Sequence, residues 1–331
     1  MKAMVLGAGL GSRLDPLTRS VPKPMVPVVG KPVLGHILDH LRQIGVRDVI
    51  VNAQYLNEVL AAKIGDGSAY GVNVTIAIET ELCGDAGGLK RVQSFFDDGS
   101  GEPFLVIGGD DLTDIDLEAL IQFHVERNAV ATMPVKRVAD TSQFGIAVVG
   151  EDGLVQRFQE KPKPEEAFSN LANTGMYVFS PEVFKHIPEG QFYGIGNNVL
   201  PNLLGNGLRV AAMETTRYWM DVGNVAVYRQ AQRDVIDGLV HAELPTGATR
   251  IGDCVICSGA SVAGIIEDHT VVGHRAIVEA GATVRNSILW DDAVVKSGTT
   301  LENCIVGEGV TVSSSHTIFG GIIVEGNRPN Q

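Results

Sequence analysis

From Ile251 to Val324 the chain follows a rule that few folds can satisfy. Short apolar pairs recur about every six residues, separated by glycine, small and polar residues, as in IGDCVI, VGHRAI, VEAGAT and VGEGVT. Helical periodicity is nearly absent there. A hexad spacing suits a left-handed parallel β-helix, in which a triangular coil takes roughly three hexads and a small residue turns inward at a corner. Roughly four coils fit the length available. The spacing slips near Ile265 to His269, which predicts a loop or an irregular coil.

Before residue 236 the pattern is different. Short β-branched runs alternate with amphipathic helical stretches, as in an α/β domain with a mainly parallel sheet. Ala3–Leu6, Val49–Val51, Val74–Ile78 and Phe104–Ile107 read as strands. Leu34, Ile37, Leu38, Leu41 and Ile44 recur at helical spacing, and Leu117–Val125 reads as another helix. The segment from Asp237 to Arg250, with Gly238, Pro245 and Gly247, reads as a connection. The expected organisation is therefore 1–236, a linker at 237–250, and a β-helix over 251–331. In open α/β sheets ligands sit at the carboxyl ends of the strands, which directs attention to the loops after Leu6, Ile78 and Ile107.

Composition narrows the function classes. The chain has 331 residues, 44% of them hydrophobic, and a formal net charge of -13. That charge opposes generic nucleic-acid binding, which needs clustered Lys and Arg, but leaves room for a small phosphorylated ligand held by a few local cations. The sequence starts with a short strand-like run and no secretory signal, and no apolar stretch approaches a membrane span. Four cysteines, Cys83, Cys254, Cys257 and Cys304, make no disulfide framework, and a cytoplasmic location is expected.

The densest chemical signal is LGAGLGSRLDPLTRSVPKPMVPV, from Leu6 to Val28. Gly7, Gly9 and Gly11 follow a predicted strand, where glycine permits a tight turn and main-chain N–H groups can approach phosphate oxygens. Ser12 stands where a dinucleotide fold needs the last glycine of G-x-G-x-x-G, and no G-x-x-x-x-G-K-[ST] occurs. Arg13 and Lys23 add cations near the same strand end, one able to grip phosphate bidentately, the other a compact point charge.

These residues resemble the G-x-G-x-R-L-x-P-L-T…P-K-P motif of the sugar-1-phosphate nucleotidyltransferases. The likeness continues through GDAGGLK at 84–90, GGDDLTDIDL at 108–117, FQEKP at 158–162, NTGMYVFSPEV at 173–183 and WMDVGNVAVY at 219–228. It implies a Rossmann-like, nucleotide-diphospho-sugar transferase type α/β domain, and members of that family often carry a left-handed β-helix tail. It further implies that a nucleoside triphosphate and a hexose 1-phosphate give a nucleotide sugar and pyrophosphate.

By resemblance, Asp110 and Asp221 match the two aspartates that hold Mg²⁺, a hard cation suited to carboxylate oxygens. Arg13 and Lys23 act on the triphosphate and Lys161 on the sugar phosphate. Gly145, Glu160, Asn173 and Thr174 match the sugar side. Leu6, Gly7, Ala8, Gly9, Gly11, Glu79, Gly84, Gly87 and Gly109 complete the candidate substrate-binding set, with Gly84 and Gly87 near the nucleobase. The nucleophile, a phosphate oxygen, is already anionic, so no protein base is required. Two positions depart from the family: Asp85 stands where it has Thr or Ser, and Gly108 replaces its usual Asn.

Other features read as structural. Cys254-x-x-Cys257 lacks partners for a zinc site and reads as small corner residues. His36 and His40 share a helix face, but Ile37 stands where a zincin needs Glu. His269, His274 and His316 could serve an acyltransferase tail, although no acetyl-CoA turnover is expected. The closest likeness is to bacterial mannose-1-phosphate guanylyltransferases, which would make the chain GTP-binding. Glucose-1-phosphate uridylyl- or thymidylyltransferases are the alternative. A silent regulatory subunit of the same fold predicts loss of Arg13, Lys23 or the aspartates, and all are present. The tail suggests a homo-oligomer.

Overall fold

The computed structural model describes residues 1–325. The expected β-helix span reaches residue 331, so 326–331 lie outside the described residues. The chain divides into two compact units, one formed by Met1–Leu10 and Ile37–Trp219, the other by Gly11–His36 and the chain from Met220 onward.

The first unit is built on a ten-stranded sheet. Lys2–Leu6 pairs in parallel with Asp48–Ala53 and Phe104–Gly108, and Asp48–Ala53 with Asn73–Ile78. Beyond Phe104–Gly108, Tyr177–Phe179 joins antiparallel, followed by Ala131–Arg137. Ala3, Met4 and Val5 are fully buried, as expected of a strand with both faces covered. The helix Val33–Gln43 buries Leu34, Ile37, Leu38 and Leu41, the positions its period selects. Helix Leu117–Glu126 starts where the Asp116 carboxylate accepts a hydrogen bond from Ala119 N. Phe104 stacks on Phe96 at 4.2 Å and on Phe184 at 5.3 Å, joining strand and covering segments in one apolar core. The strand termini are thereby fixed where the loops after Leu6, Ile78 and Gly108 begin.

The second unit contains the left-handed parallel β-helix. Its three sheets stack Val271–Val272, Ile288–Leu289 and Ile305–Val306 on one face, Ile277–Val278 and Val294–Val295 on the next, and Thr283–Arg285 and Thr300–Glu302 on the third. Val271, Ile277, Thr283 and Ile288 start successive strands, so a full coil steps by six, six and five residues. The sequence rhythm of about six hides that shortened side. At the corner that ends it, Asn286 or Asn303 is left-handed, with φ of 44° and 55°. Just inside it Thr270, Ser287 and Cys304 stack fully buried, with Cys304 N donating to Ser287 Oγ at 2.9 Å. At the slip near Ile265, both Asp268 and His269 are left-handed and the register step lengthens, Ile265 pairing with Thr283. Cys254 and Cys257 are buried free thiols. Among the described residues no helix is long and apolar enough to cross a membrane.

Candidate active site

Residues proposed to bind substrate fall into both units. In the first unit the Lys2–Leu6 strand delivers Gly7, whose N–H donates to Asn52 Oδ1 at 2.8 Å. Asn52 Nδ2 in turn donates to Glu79 Oε1 at 2.6 Å, and both side chains are buried. Glu79 therefore acts on the first loop through Asn52 and fixes the direction of the Gly7 amide. Asn52 is a site residue the sequence reading missed; its signal is a single amide at the end of the apolar run VIVNA. A methyl group on Gly9 would meet no atom within 4 Å, so glycine there answers to no packing demand and leaves its backbone open to a ligand.

Gly84 and Gly87 owe their identity to a close approach of main chain. Ala86 N and Gly87 N both donate to Tyr193 O, at 3.1 and 3.0 Å, and a side chain on Gly84 would collide with Tyr193. Asp85 completes the attachment: its Oδ1 accepts from Ile195 N at 2.7 Å and from Ala86 N at 2.8 Å. Burial pushes the Asp85 carboxyl up, and these amides and Lys161 oppose the rise. The departure from Thr or Ser thus ties helix Gly84–Arg91 to the 193–195 segment.

The departure at Gly108 goes with a close approach of carboxylates. A β-carbon there would lie 3.1 Å from Asp110 Oδ1 and would collide with Asp111 Oδ2. Asp111 is buried and accepts Trp219 Nε1–H at 2.9 Å, while Gly109 N donates to Leu6 O at 2.9 Å. A side chain at this strand end would have to displace one or both carboxylates.

On the sugar side, Glu160 projects between the backbones of Gly145 and Gly196. A methyl on Gly145 would lie 2.7 Å from Glu160 Oε2, and one on Gly196 would collide with it. Burial raises the Glu160 carboxyl above its ordinary value, with Lys161 opposing and Asp85 reinforcing the rise. Lys161 Nζ stands 4.0 Å from Glu160 Oε1. Its residue is left-handed at φ 43°, and its N–H donates to Phe144 O. Asn173 is turned to structure: Nδ2 donates to Tyr177 Oη at 2.6 Å and Oδ1 accepts from Gly175 N at 3.1 Å. Thr174 is buried and donates to Pro134 O at 3.1 Å.

In the second unit, Gly11 is left-handed at φ 65°, and a β-carbon on it would sit 2.9 Å from Lys23 Cβ. Its carbonyl accepts Thr18 Oγ1–H at 3.0 Å. Lys23 Nζ lies 2.9 Å from Asp221 Oδ1 and Arg13 Nη2 lies 3.7 Å from Oδ2, so one carboxylate faces two cations. Lys23 is nearly enclosed, whereas Arg13 is 62% exposed and able to reach outward. Gly223 keeps this cluster compact, since a side chain there would come within 3.1 Å of both Arg13 Nη2 and Asp221 Oδ1.

Glycine-lined strand ends with paired cations and carboxylates suit an enzyme that moves phosphoryl-linked groups by positioning and electrostatics. The chain belongs to the nucleotidyl transferase family, which it matches over residues 2–238, and residues 239–322 match the GlmU-like C-terminal hexapeptide family. It is 36% identical to a UTP–glucose-1-phosphate uridylyltransferase of Synechocystis, over 86% of this chain and 76% of that protein. It is 32% identical to a mannose-1-phosphate guanylyltransferase of Mycobacterium tuberculosis, over 87% and 79% respectively. A solved chain from Bacillus anthracis covers 70% of this chain and 94% of its own length at 25% identity, with a TM-score of 0.63.

Proposed function

We propose that the enzyme transfers a nucleotidyl group from a nucleoside triphosphate to a hexose 1-phosphate, with GTP and mannose 1-phosphate as the leading pair. The observation that carries this reading is Glu160 wedged between Gly145 and Gly196 with Lys161 at 4.0 Å. That pairing offers an acceptor for sugar hydroxyls beside a cation for the phosphate. UTP with glucose 1-phosphate is the second reading, favoured by the 36% identity to the uridylyltransferase. A silent regulatory role is opposed by the presence of Arg13, Lys23, Asp110 and Asp221.

In the reaction a sugar-phosphate oxygen attacks the α-phosphorus, the bond to the bridging oxygen breaks, and pyrophosphate leaves with the electron pair. No proton must be removed from the nucleophile. Arg13 and Lys23 offset the triphosphate charge, Lys161 that of the sugar phosphate, and the open backbone at Gly9 is left for phosphate oxygens while the Gly7 amide is held by Asn52. Asp110 and Asp221 are proposed as ligands of Mg²⁺; their hard carboxylate oxygens fit that ion, which takes one or two such groups along with phosphate and water oxygens. Bound Mg²⁺ supplies neutralisation of the triphosphate and of the departing pyrophosphate. Cytoplasmic location and self-association belong to the same reading; exposed Ile265, Ile277 and Phe319 on the β-helix support the latter. So does the proposed division at 1–236, 237–250 and 251–331, which gives the tail its own role.

Pyrophosphate release measured for GTP, UTP, dTTP, ATP and CTP against mannose and glucose 1-phosphates, in Mg²⁺, tests the proposal. Turnover should peak with GTP and mannose 1-phosphate, and no turnover with any pair would end it. Gly196→Ala should raise KM for the sugar phosphate about 10- to 100-fold, because the displaced flexible carboxylate loses hydrogen bonds worth roughly 1.5–3 kcal/mol. KM for the nucleotide should stay within about twofold in the same steady-state measurements.

A further inference from the structure

Four residues beyond Lys23, the chain enters a hairpin with a two-residue turn, Pro27–Val28 pairing with Lys31–Pro32. Its turn residues Val29 and Gly30 are both left-handed, with φ of 48° and 75°. Glycine accepts this conformation freely, but a β-branched valine there costs roughly 1–2 kcal/mol. Such a residue persists only where its surroundings over-determine it.

Those surroundings are specific and buried. Pro27 O accepts two hydrogen bonds, from Tyr228 Oη at 2.8 Å and Gln232 Nε2 at 2.9 Å. Gln232 Oε1 accepts from Val29 N at 2.6 Å, and the His36 ring donates from Nε2 to Val28 O at 3.0 Å. Tyr228 and Gln232 lie one turn apart on helix Val225–Ile236, which follows Asp221 after a short turn capped by Asn224. The β-helix then enters: Trp290 Nε1 donates to Tyr228 Oη at 2.9 Å. A side chain on Gly30 would collide with Cys257 Sγ. Tyr228, Gln232 and Trp290 are each at most 3% exposed, so no water competes for these bonds.

We propose that the β-helix is a positioning element of the nucleotide site: Trp290, acting through Tyr228, and Gln232 one turn further on clasp the strained hairpin and so set where Lys23 and Arg13 stand. Lys23 is held from two directions. Its Nζ pairs with Asp221, just ahead of helix Val225–Ile236, and its backbone continues into the hairpin that the same helix grips. A tail that fixes the loop can transmit to it whatever is bound or assembled on the coils. Tyr228, Gln232 and Trp290 are positioning residues, since they touch no reacting atom.

This inference rests on the assignment of Lys23 to the triphosphate, and a double-mutant cycle in the full chain tests both separately. With GTP and mannose 1-phosphate, or with UTP and glucose 1-phosphate if that pair turns over, Tyr228→Phe should lower kcat about 10- to 100-fold, the scale of a displaced positioning group. KM for the sugar phosphate should be unmoved. In a Lys23→Ala background the same substitution should cost less than about threefold, because the group it positions is gone. Trp290→Phe, which leaves Tyr228 bonded to Pro27, should show a smaller effect of the same kind, and it replaces Tyr228→Phe should circular dichroism reveal misfolding. A crippled Lys23→Ala beside fully active Tyr228→Phe and Trp290→Phe would overturn the clasp alone. Full additivity in the cycle would overturn it as well. Lys23→Ala with undiminished turnover would overturn the nucleotide assignment itself.

Discussion

Asp110→Ala should lower pyrophosphate release by about 10³-fold or more while the protein remains folded, because it deletes a proposed ligand of the ion that screens the triphosphate. The side chain stands at the end of the Phe104–Gly108 strand and is only half-buried, so its loss opens no core cavity. The neighbouring carboxylate, Asp111, is buried on Trp219 and should hold the strand end in place without it. Pyrophosphate release at saturating Mg²⁺, with circular dichroism of the same samples, provides the check. Undiminished turnover would remove Asp110 from the metal assignment.

Asp221→Asn should produce a different signature: kcat down about 10²-fold, a higher Mg²⁺ concentration for half-maximal rate, and lower thermal stability. The stability change follows from its partners. Lys23 is nearly enclosed and faces Asp221 at 2.9 Å, so an amide in place of the carboxylate weakens the charge pairing of a cation with little access to water. A loss of about 1–3 kcal/mol is expected for a hydrogen-bonded charged group treated in this way. Losing the pairing with Arg13, at 3.7 Å and largely exposed, should add little to this. Thermal unfolding and a Mg²⁺ titration of the rate would separate the two effects; an unchanged melting temperature would argue that the pairing contributes nothing.

What could be read from the sequence was whatever repeats or follows a local rule. The strands ending at Leu6 and Gly108 announce themselves because burial on both faces demands continuous apolar runs, and the half-exposed edge strand Asn73–Ile78 by its alternation. Leu34, Ile37, Leu38 and Leu41 mark their helix by period alone, and the hexads mark the β-helix. The site was legible as a set of residue types, less so as a set of contacts. Glu79 and Asn52 are 27 positions apart and meet only because parallel strands bring both ends to the same edge. Asp85 finds Ile195 across 110 positions, and nothing local to GDAGG foretells that pairing. Gly108 reads as a lost asparagine until Asp110 and Asp111 are both present in space. Likewise Asn173 and Thr174 have the motif's identity, yet their polar atoms serve Tyr177, Gly175 and Pro134.

The six-six-five coil carries an evolutionary constraint. Each circuit restores the same side chains to the same edges, so Asn286 sits under Asn303 and Ser287 under Cys304. Gaining or losing one residue would turn every later interior valine toward water, whereas a complete circuit could be spliced in or out with its neighbours undisturbed. Lengths among descendants of this chain should therefore vary in whole turns, as a screw advances by its thread.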